Sequence, residues 1–212
     1  MKTLADKYRL QRLSAGLLVV DVQERLCKAM EPRSLERMVQ RASAAIRGAQ
    51  ALQLPIVYTE QYSKGLGSTI APLKELLGSA TRVEKLTFTC ALPEVVAALK
   101  RHQILIAGME THVCVYQSAR DLAEQQFQPF LLSDAVLSRS EEDRQTGLAL
   151  CREVGAVVTT VESALFDLLG KAGTPEFKAV SAAVSDSPNG KCCTATHTAG
   201  VSFVGRCHCS IV

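Results

Sequence analysis

Short apolar runs alternate with amphipathic stretches along most of this chain, and that alternation leaves little choice of architecture. An apolar run only long enough for a strand, followed by a segment whose apolar residues recur every three to four positions, marks a buried parallel strand and its covering helix. Ala15-Gly-Leu-Leu-Val-Val-Asp21 is such a run and ends in an acid. From Leu35 the apolar positions Leu35, Met38, Val39, Ala42, Ile46, Ala49 and Leu52 recur at helical spacing, with Glu36, Arg37, Gln40, Arg41 and Arg47 between them. Pro55 introduces Ile56-Val-Tyr-Thr59, and Ile104–Gly108, Phe130–Leu132 and Ala156–Thr160 read as further strands.

Helix ends are marked as well. Ser140 ahead of Glu141, Glu142 and Asp143 supplies an N-cap and an acidic first turn, and Gly155 stands where a C-terminal cap belongs, which predicts a helix over 141–154. Thr159 with Glu162 reads as a second capping box, before a helix ending near Lys171. The pattern predicts an α/β protein, a three-layer α/β/α Rossmann-like fold with a mostly parallel central sheet. At 212 residues one domain is expected, over 14–184, after an N-terminal extension, 1–13. Past Val184 small polar residues replace the periodicity, which predicts a flexible Cys-rich tail over 185–212.

Charge and composition narrow the function classes. With 24 Lys plus Arg against 21 Asp plus Glu, the net charge of +3 is spread over a mixed surface rather than gathered in a basic stripe, and aromatic residues are 5% with no Trp, so nucleic acid is not the expected partner. The longest apolar run, Ala15–Val20, falls far short of a membrane span. The N-terminus carries Lys2, Lys7, Arg9 and Arg12 without an apolar core, which argues against a secretion signal and for a cytoplasmic protein. A mitochondrial presequence is the alternative, although Asp6 interrupts it. Reduced thiols are therefore expected for the eight cysteines.

Ligands of an open parallel sheet bind outside the carboxyl ends of its strands. Asp21 ends the first strand, Lys85 lies in an irregular-looking segment, Arg82–Thr89, and Cys114 follows the strand that ends at Gly108. With Thr111 as N-cap, Cys114 falls in the first turn of a helix running to about Gln126, where the dipole and free amides favour a thiolate. A nearby lysine would lower the thiol pKa further, and a nearby aspartate would accept its proton. On the residues alone, a cysteine nucleophile and a buried apolar cysteine both remain open.

Three segments, Val19-Val-Asp-Val-Gln23, Glu84-Lys-Leu-Thr-Phe88 and Gly108-Met-Glu-Thr-His-Val-Cys-Val115, resemble in order and spacing the signature blocks of the isochorismatase-like cysteine hydrolases, which include nicotinamidases and N-carbamoyl amidases. Thr59-Glu-Gln-Tyr-Ser-Lys-Gly-Leu-Gly67 is similar to the subgroup of isochorismatase-domain proteins of unassigned substrate. The resemblance covers about residues 14–183 and implies a catalytic triad of Asp21, Lys85 and Cys114, opening a small amide or related acyl compound through a thioester. It also implies an oxyanion hole made by the backbone amides of Glu110 and Cys114, presented by a cis Met109–Glu110 bond.

The metal-binding Asp-x-His of the nicotinamidases would fall on Gln61, Tyr62 and Ser63, so neither metal nor cofactor is expected. Gln23, Tyr62, Phe88 and His112 are candidate pocket residues, with packing as the bland reading of the aromatic ones. Cys27, Cys90 and Cys151 sit in apolar contexts and are expected in the core. In the tail, Cys192, Cys193, His197, Cys207, His208 and Cys209 do not match a zinc-ribbon or finger spacing. Cys209-Ser-Ile-Val212 has the outline of a prenylation box, but its Ser and Val depart from one and no lipid anchor is expected. The expected partners are a small-molecule substrate and, from the relatives, further copies of the chain. The alternative to an enzyme is a non-catalytic binding or regulatory protein on the same fold. A ribonuclease, a label carried by some relatives, finds no paired histidines and no basic groove here.

Overall fold

The computed structural model describes residues 4–185. The tail, 186–212, with its four cysteines, lies outside the described residues. In chain order the elements are α1 (Leu4–Tyr8), a 3₁₀ turn (Arg12–Ser14), β1 (Ala15–Val20), α2 (Glu24–Lys28), α3 (Pro32–Ala51), β2 (Ile56–Gln61), α4 (Ser63–Leu66), α5 (Ala71–Leu77), β3 (Thr81–Lys85) and α6 (Pro93–Leu99). Then come β4 (Gln103–Met109), a π-helical turn (Thr111–Val115), α7 (Tyr116–Glu124), β5 (Gln128–Leu137), α8 (Glu141–Glu153), β6 (Val157–Thr159), α9 (Val161–Leu169) and α10 (Pro175–Ser185).

The strands form one six-stranded parallel sheet in the order β3-β2-β1-β4-β5-β6. Every residue of β1 is buried, and successive side chains go to opposite layers. Leu17 and Val19 join Leu105, Ala107 and Phe130 under α3, α5, α9 and α10. Leu18 and Val20 join Ile104, Ile106 and Leu131 under α6, α7 and α8. This two-sided burial makes the strands read as continuous apolar runs rather than alternating ones.

Several boundaries differ from the sequence reading. Thr81–Lys85 is a strand, not an irregular segment: it is the sheet edge, so Arg82 and Glu84 face solvent and hide the alternation. β5 continues through Asp134 to Leu137, well past Leu132. Thr160, not Thr159, caps α9, its hydroxyl accepting from the Ser163 N–H at 3.2 Å. The segment before residue 14 is tied into the domain, with Leu10 buried and its N–H donating to Asp167 Oδ2 at 2.6 Å.

The chain leaves β1 toward β2 on one side and reaches β4 on the other, so the strand order reverses between β1 and β4, which opens a crevice at their carboxyl ends. The two strands meet closely there. Gly108 pairs with Val20 at φ 122°, and a Cβ on it would lie 2.0 Å from the Val20 carbonyl oxygen. Only glycine fits that contact.

Candidate active site

Three strand ends converge at the crevice. At the end of β1 the backbone turns through a left-handed Asp21 (φ 46°), a conformation Asp tolerates better than most residues, and the Asp21 N–H is held by the Thr59 carbonyl at 3.2 Å. Its carboxylate accepts from the Thr59 hydroxyl (Oδ1, 2.7 Å) and from the Lys85 ammonium (Oδ2, 2.7 Å). Lys85, the last residue of β3, also donates to the carbonyls of Thr87 and Phe88, each at 3.0 Å, so all three ammonium hydrogens are spent. Neither side chain of this ion pair has any exposure.

The third strand, β4, ends at a cis Met109–Glu110 bond, followed by the π-helical turn that carries Cys114. Glu110 in extended conformation, not Thr111, occupies the N-cap position, and its side chain makes no cap but accepts from Arg139 Nε at 2.9 Å. The turn is held from outside: Thr111 N–H donates to Ser138 Oγ at 3.1 Å, and Ser118 Oγ donates to the Cys114 carbonyl at 2.6 Å. Helix α8 presses on it at Gly147, where a Cβ would lie 2.7 Å from backbone atoms of Thr111 and His112. Turns of this kind recur at functional sites.

Cys114 is only 5% exposed. The sequence reading placed it where a thiolate is favoured, and the opposite holds: burial, then the Asp21 carboxylate, push the thiol pKa up, and the opposing Lys85 charge does not offset them. The thiol therefore rests protonated. Burial works against the Lys85 ammonium, but the acidic surroundings, with the Asp21 carboxylate accepting its hydrogen bond, hold its pKa above the ordinary value.

The remaining candidates divide. Gln23 is fully buried and does not line a pocket; its carboxamide accepts from the Gln61 N–H at 2.8 Å and donates to the carbonyls of Gln61 (3.1 Å) and Gly67 (2.7 Å). His112 lies 3.1 Å from Ser138 Oγ through Nδ1. Tyr62 and Phe88, 54% and 52% exposed, stand on the segments flanking Lys85. Sequence reasoning missed Gln61, whose Oε1 accepts from the Cys114 thiol at 3.2 Å, and Thr59, which links Asp21 to the buried Cys90 thiol at 3.4 Å. Their place at the end of β2 was the available signal. Cys27, Cys90 and Cys151 are buried free thiols.

Among the described residues no group of three or more His, Cys, Asp or Glu is arranged to hold a metal ion. A cleft of about 650 Å³ between α3 and α8 is lined by Arg37, Arg41, Asp134, Glu141 and Arg144 and by none of the converging residues. Its charges largely pair with one another, Arg144 with Glu141 at 2.9 Å and Arg41 with Asp134 at 3.6 Å. The chemistry gathers at the strand ends instead.

Residues 15–163 match the family model described as Isochorismatase domain. The secreted isochorismatase effector Isc1 of Phytophthora sojae is 36% identical over 189 residues, covering 84% of this chain and 89% of that protein. A structure described as the MAR1 ribonuclease of Caenorhabditis elegans superposes with a TM-score of 0.80 at 30% identity, over 92% of this chain and 100% of that one. The ycaC gene product of Escherichia coli, described as an octameric hydrolase of unknown specificity, shares the fold with a TM-score of 0.78 at 23% identity, over 89% and 94% of the two chains.

Proposed function

Because this chain belongs to the isochorismatase domain family, whose hydrolase fold it shares, we propose that it is a metal-independent cysteine hydrolase of a small amide or related acyl compound. The observation that carries the reading is the wholly buried Asp21–Lys85 ion pair set beside the buried Cys114 thiol. Burying two charges costs several kcal/mol per ion (about) before pairing offsets it, and structural roles are served as well by apolar residues, so such a pair in a strand-end crevice points to chemistry.

In this mechanism Asp21 takes the thiol proton as Cys114 Sγ attacks the carbonyl carbon, and Lys85 balances the charge that develops. The backbone amides of Glu110 and Cys114 receive the oxyanion. Asp21 returns the proton to the departing nitrogen, and water then cleaves the thioester, which restores the thiol and releases the acid. Gln61, Tyr62 and Ser63 offer an amide, a phenol and a hydroxyl where the nicotinamidases place metal ligands, which supports a route without metal.

The test is ammonia release from a panel of small primary amides, hydantoinates and carbamoyl compounds, with intact-mass detection of an acyl adduct on Cys114. Cys114→Ala and Asp21→Asn are expected to abolish both. Absence of turnover across the panel overturns the reading in favour of a non-catalytic binding protein, and turnover that survives Cys114→Ala overturns the cysteine mechanism. The ribonuclease name of the C. elegans neighbour supplies a second assay, RNA cleavage. It is expected to be negative here: His102 stacks near Phe127 while His112 binds Ser138, so the two described histidines do not act together.

We further propose a homo-oligomer, for which the octameric state named for the E. coli neighbour is the support and light scattering the check. A cytoplasmic location, with the mitochondrion as the alternative, fits the free thiols, and among the described residues no helix is long and apolar enough to cross a membrane. The domain is proposed to span 14–184.

A further inference from the structure

Gln61 has a side chain that the fold does not use. Its backbone is fixed on both sides by the buried Gln23, which accepts from its N–H at 2.8 Å and donates to its carbonyl at 3.1 Å. The carboxamide is thereby left to the site, where Oε1 accepts from the Cys114 thiol at 3.2 Å. Among the described residues Gln61 Nε2 makes no hydrogen bond. The group next to the nucleophile is thus a carboxamide with its acceptor engaged only by the thiol hydrogen and its donors open.

That engagement ends when the reaction begins. Once the thiol proton passes to Asp21, Oε1 faces a sulfur that no longer donates, and a half-buried acceptor left unpaired beside developing negative charge is unfavourable. A substrate that brings its own N–H to this point replaces the lost donor; one without an N–H does not. Charge recognition is closed off at the same place, because the three Lys85 hydrogens are already spent on Asp21, Thr87 and Phe88.

We propose that Gln61 is a specificity-determining residue, accepting an N–H from the nitrogen of the scissile bond and so favouring substrates whose scissile nitrogen carries a hydrogen over esters and tertiary amides. This rests on the hydrolase reading above and narrows it. Gln61 exchanges no proton. As the Sγ–C bond forms and the C–N bond breaks, the thiol proton travels through Asp21 onto the nitrogen, which leaves as ammonia or an amine. Water then supplies the hydroxyl of the released acid and the hydrogen that restores the thiol.

The test compares two neutral alkylating probes on the full chain, iodoacetamide, which carries N–H groups, and N,N-dimethyl-iodoacetamide, which carries none. Rates are read on the Cys114 peptide by mass spectrometry and divided by the same ratio for glutathione. One hydrogen bond predicts a preference of about threefold to tenfold for iodoacetamide in the wild type, absent in Gln61→Leu. Gln61→Asn, which keeps the polarity but withdraws the carbonyl by one methylene, is a second variant and is expected to lose most of the preference. A preference absent in the wild type, or retained in both variants, overturns the assignment of Gln61 alone, provided ammonia release in the panel above depends on Asp21 and Cys114. A Cys114 that neither probe alkylates, together with a silent panel, overturns the hydrolase reading and this inference with it.

Discussion

The Lys85 ammonium lies 2.7 Å from Asp21 Oδ2, and neither side chain is reached by solvent. Lys85→Met therefore strands a buried carboxylate with Thr59 as its remaining side-chain donor. The expected loss is about 3–5 kcal/mol, read as a lower urea midpoint. Adding Asp21→Asn removes the stranded charge, so the double variant should regain part of that stability while remaining inactive. A Lys85→Met protein as stable as the wild type would mean that the pair is not buried in solution.

Gln23→Leu removes the clamp on the end of β2. It deprives the Gln61 N–H and carbonyl of their side-chain partner and releases the Gly67 carbonyl. About 1–3 kcal/mol of stability should go for each group left buried and unsatisfied. Because Gln61 carries the contact to Cys114, turnover should fall even where the variant is fully folded, which circular dichroism at the assay temperature would establish.

Gly147→Ala adds one methyl group between α8 and the π-helical turn, 2.7 Å from backbone atoms of Thr111 and His112. Overpacking of this kind costs about 1–3 kcal/mol. The turn carries Cys114, so a lowered Tm should be accompanied by slower hydrolysis, whereas a methyl elsewhere on α8 lowers neither. An unchanged Tm and rate would show that the helix does not press on the turn.

Stability should decline at alkaline pH. Burial pushes the thiols of Cys27 and Cys90 up to about 11 and that of Cys151 to about 12, from an ordinary value of 9.0. Above pH 9 the unfolded chain releases these protons while the native one keeps them, so the native state binds more protons and stability falls as pH rises. Below that range the contribution is fully present. Urea unfolding in reducing buffer should show a plateau near neutrality and a falling free energy above about pH 9, with a shallower slope in Cys151→Ala.

The apolar runs of β1, β4 and the first half of β5 were legible because a strand buried on both faces must be apolar throughout. Glu141 with Ser140 marked a helix start because caps are local chemistry, and Glu162 marked another, although Thr160 rather than the expected Thr159 makes that cap. β3 was not legible: an edge strand spends half its positions on solvent, and Arg82 and Glu84 read as loop. The resemblance of three short segments directed attention to Asp21, Lys85 and Cys114.

Local sequence can state what a residue prefers, and at Cys114 that preference, an early helical turn with a basic neighbour, pointed to a thiolate. The opposite protonation state follows from long-range facts: how little water reaches the sulfur, and that an aspartate 2.7 Å from the same lysine also faces it. Gln61 stands beside Cys114 for a similar reason, since β2 and the turn after β4 are adjacent only once the sheet has formed. Secondary structure and layer order were written into hydrophobic periodicity, which acts over neighbouring residues. Solvation and contact between distant strands were not, because they exist only in the packed molecule.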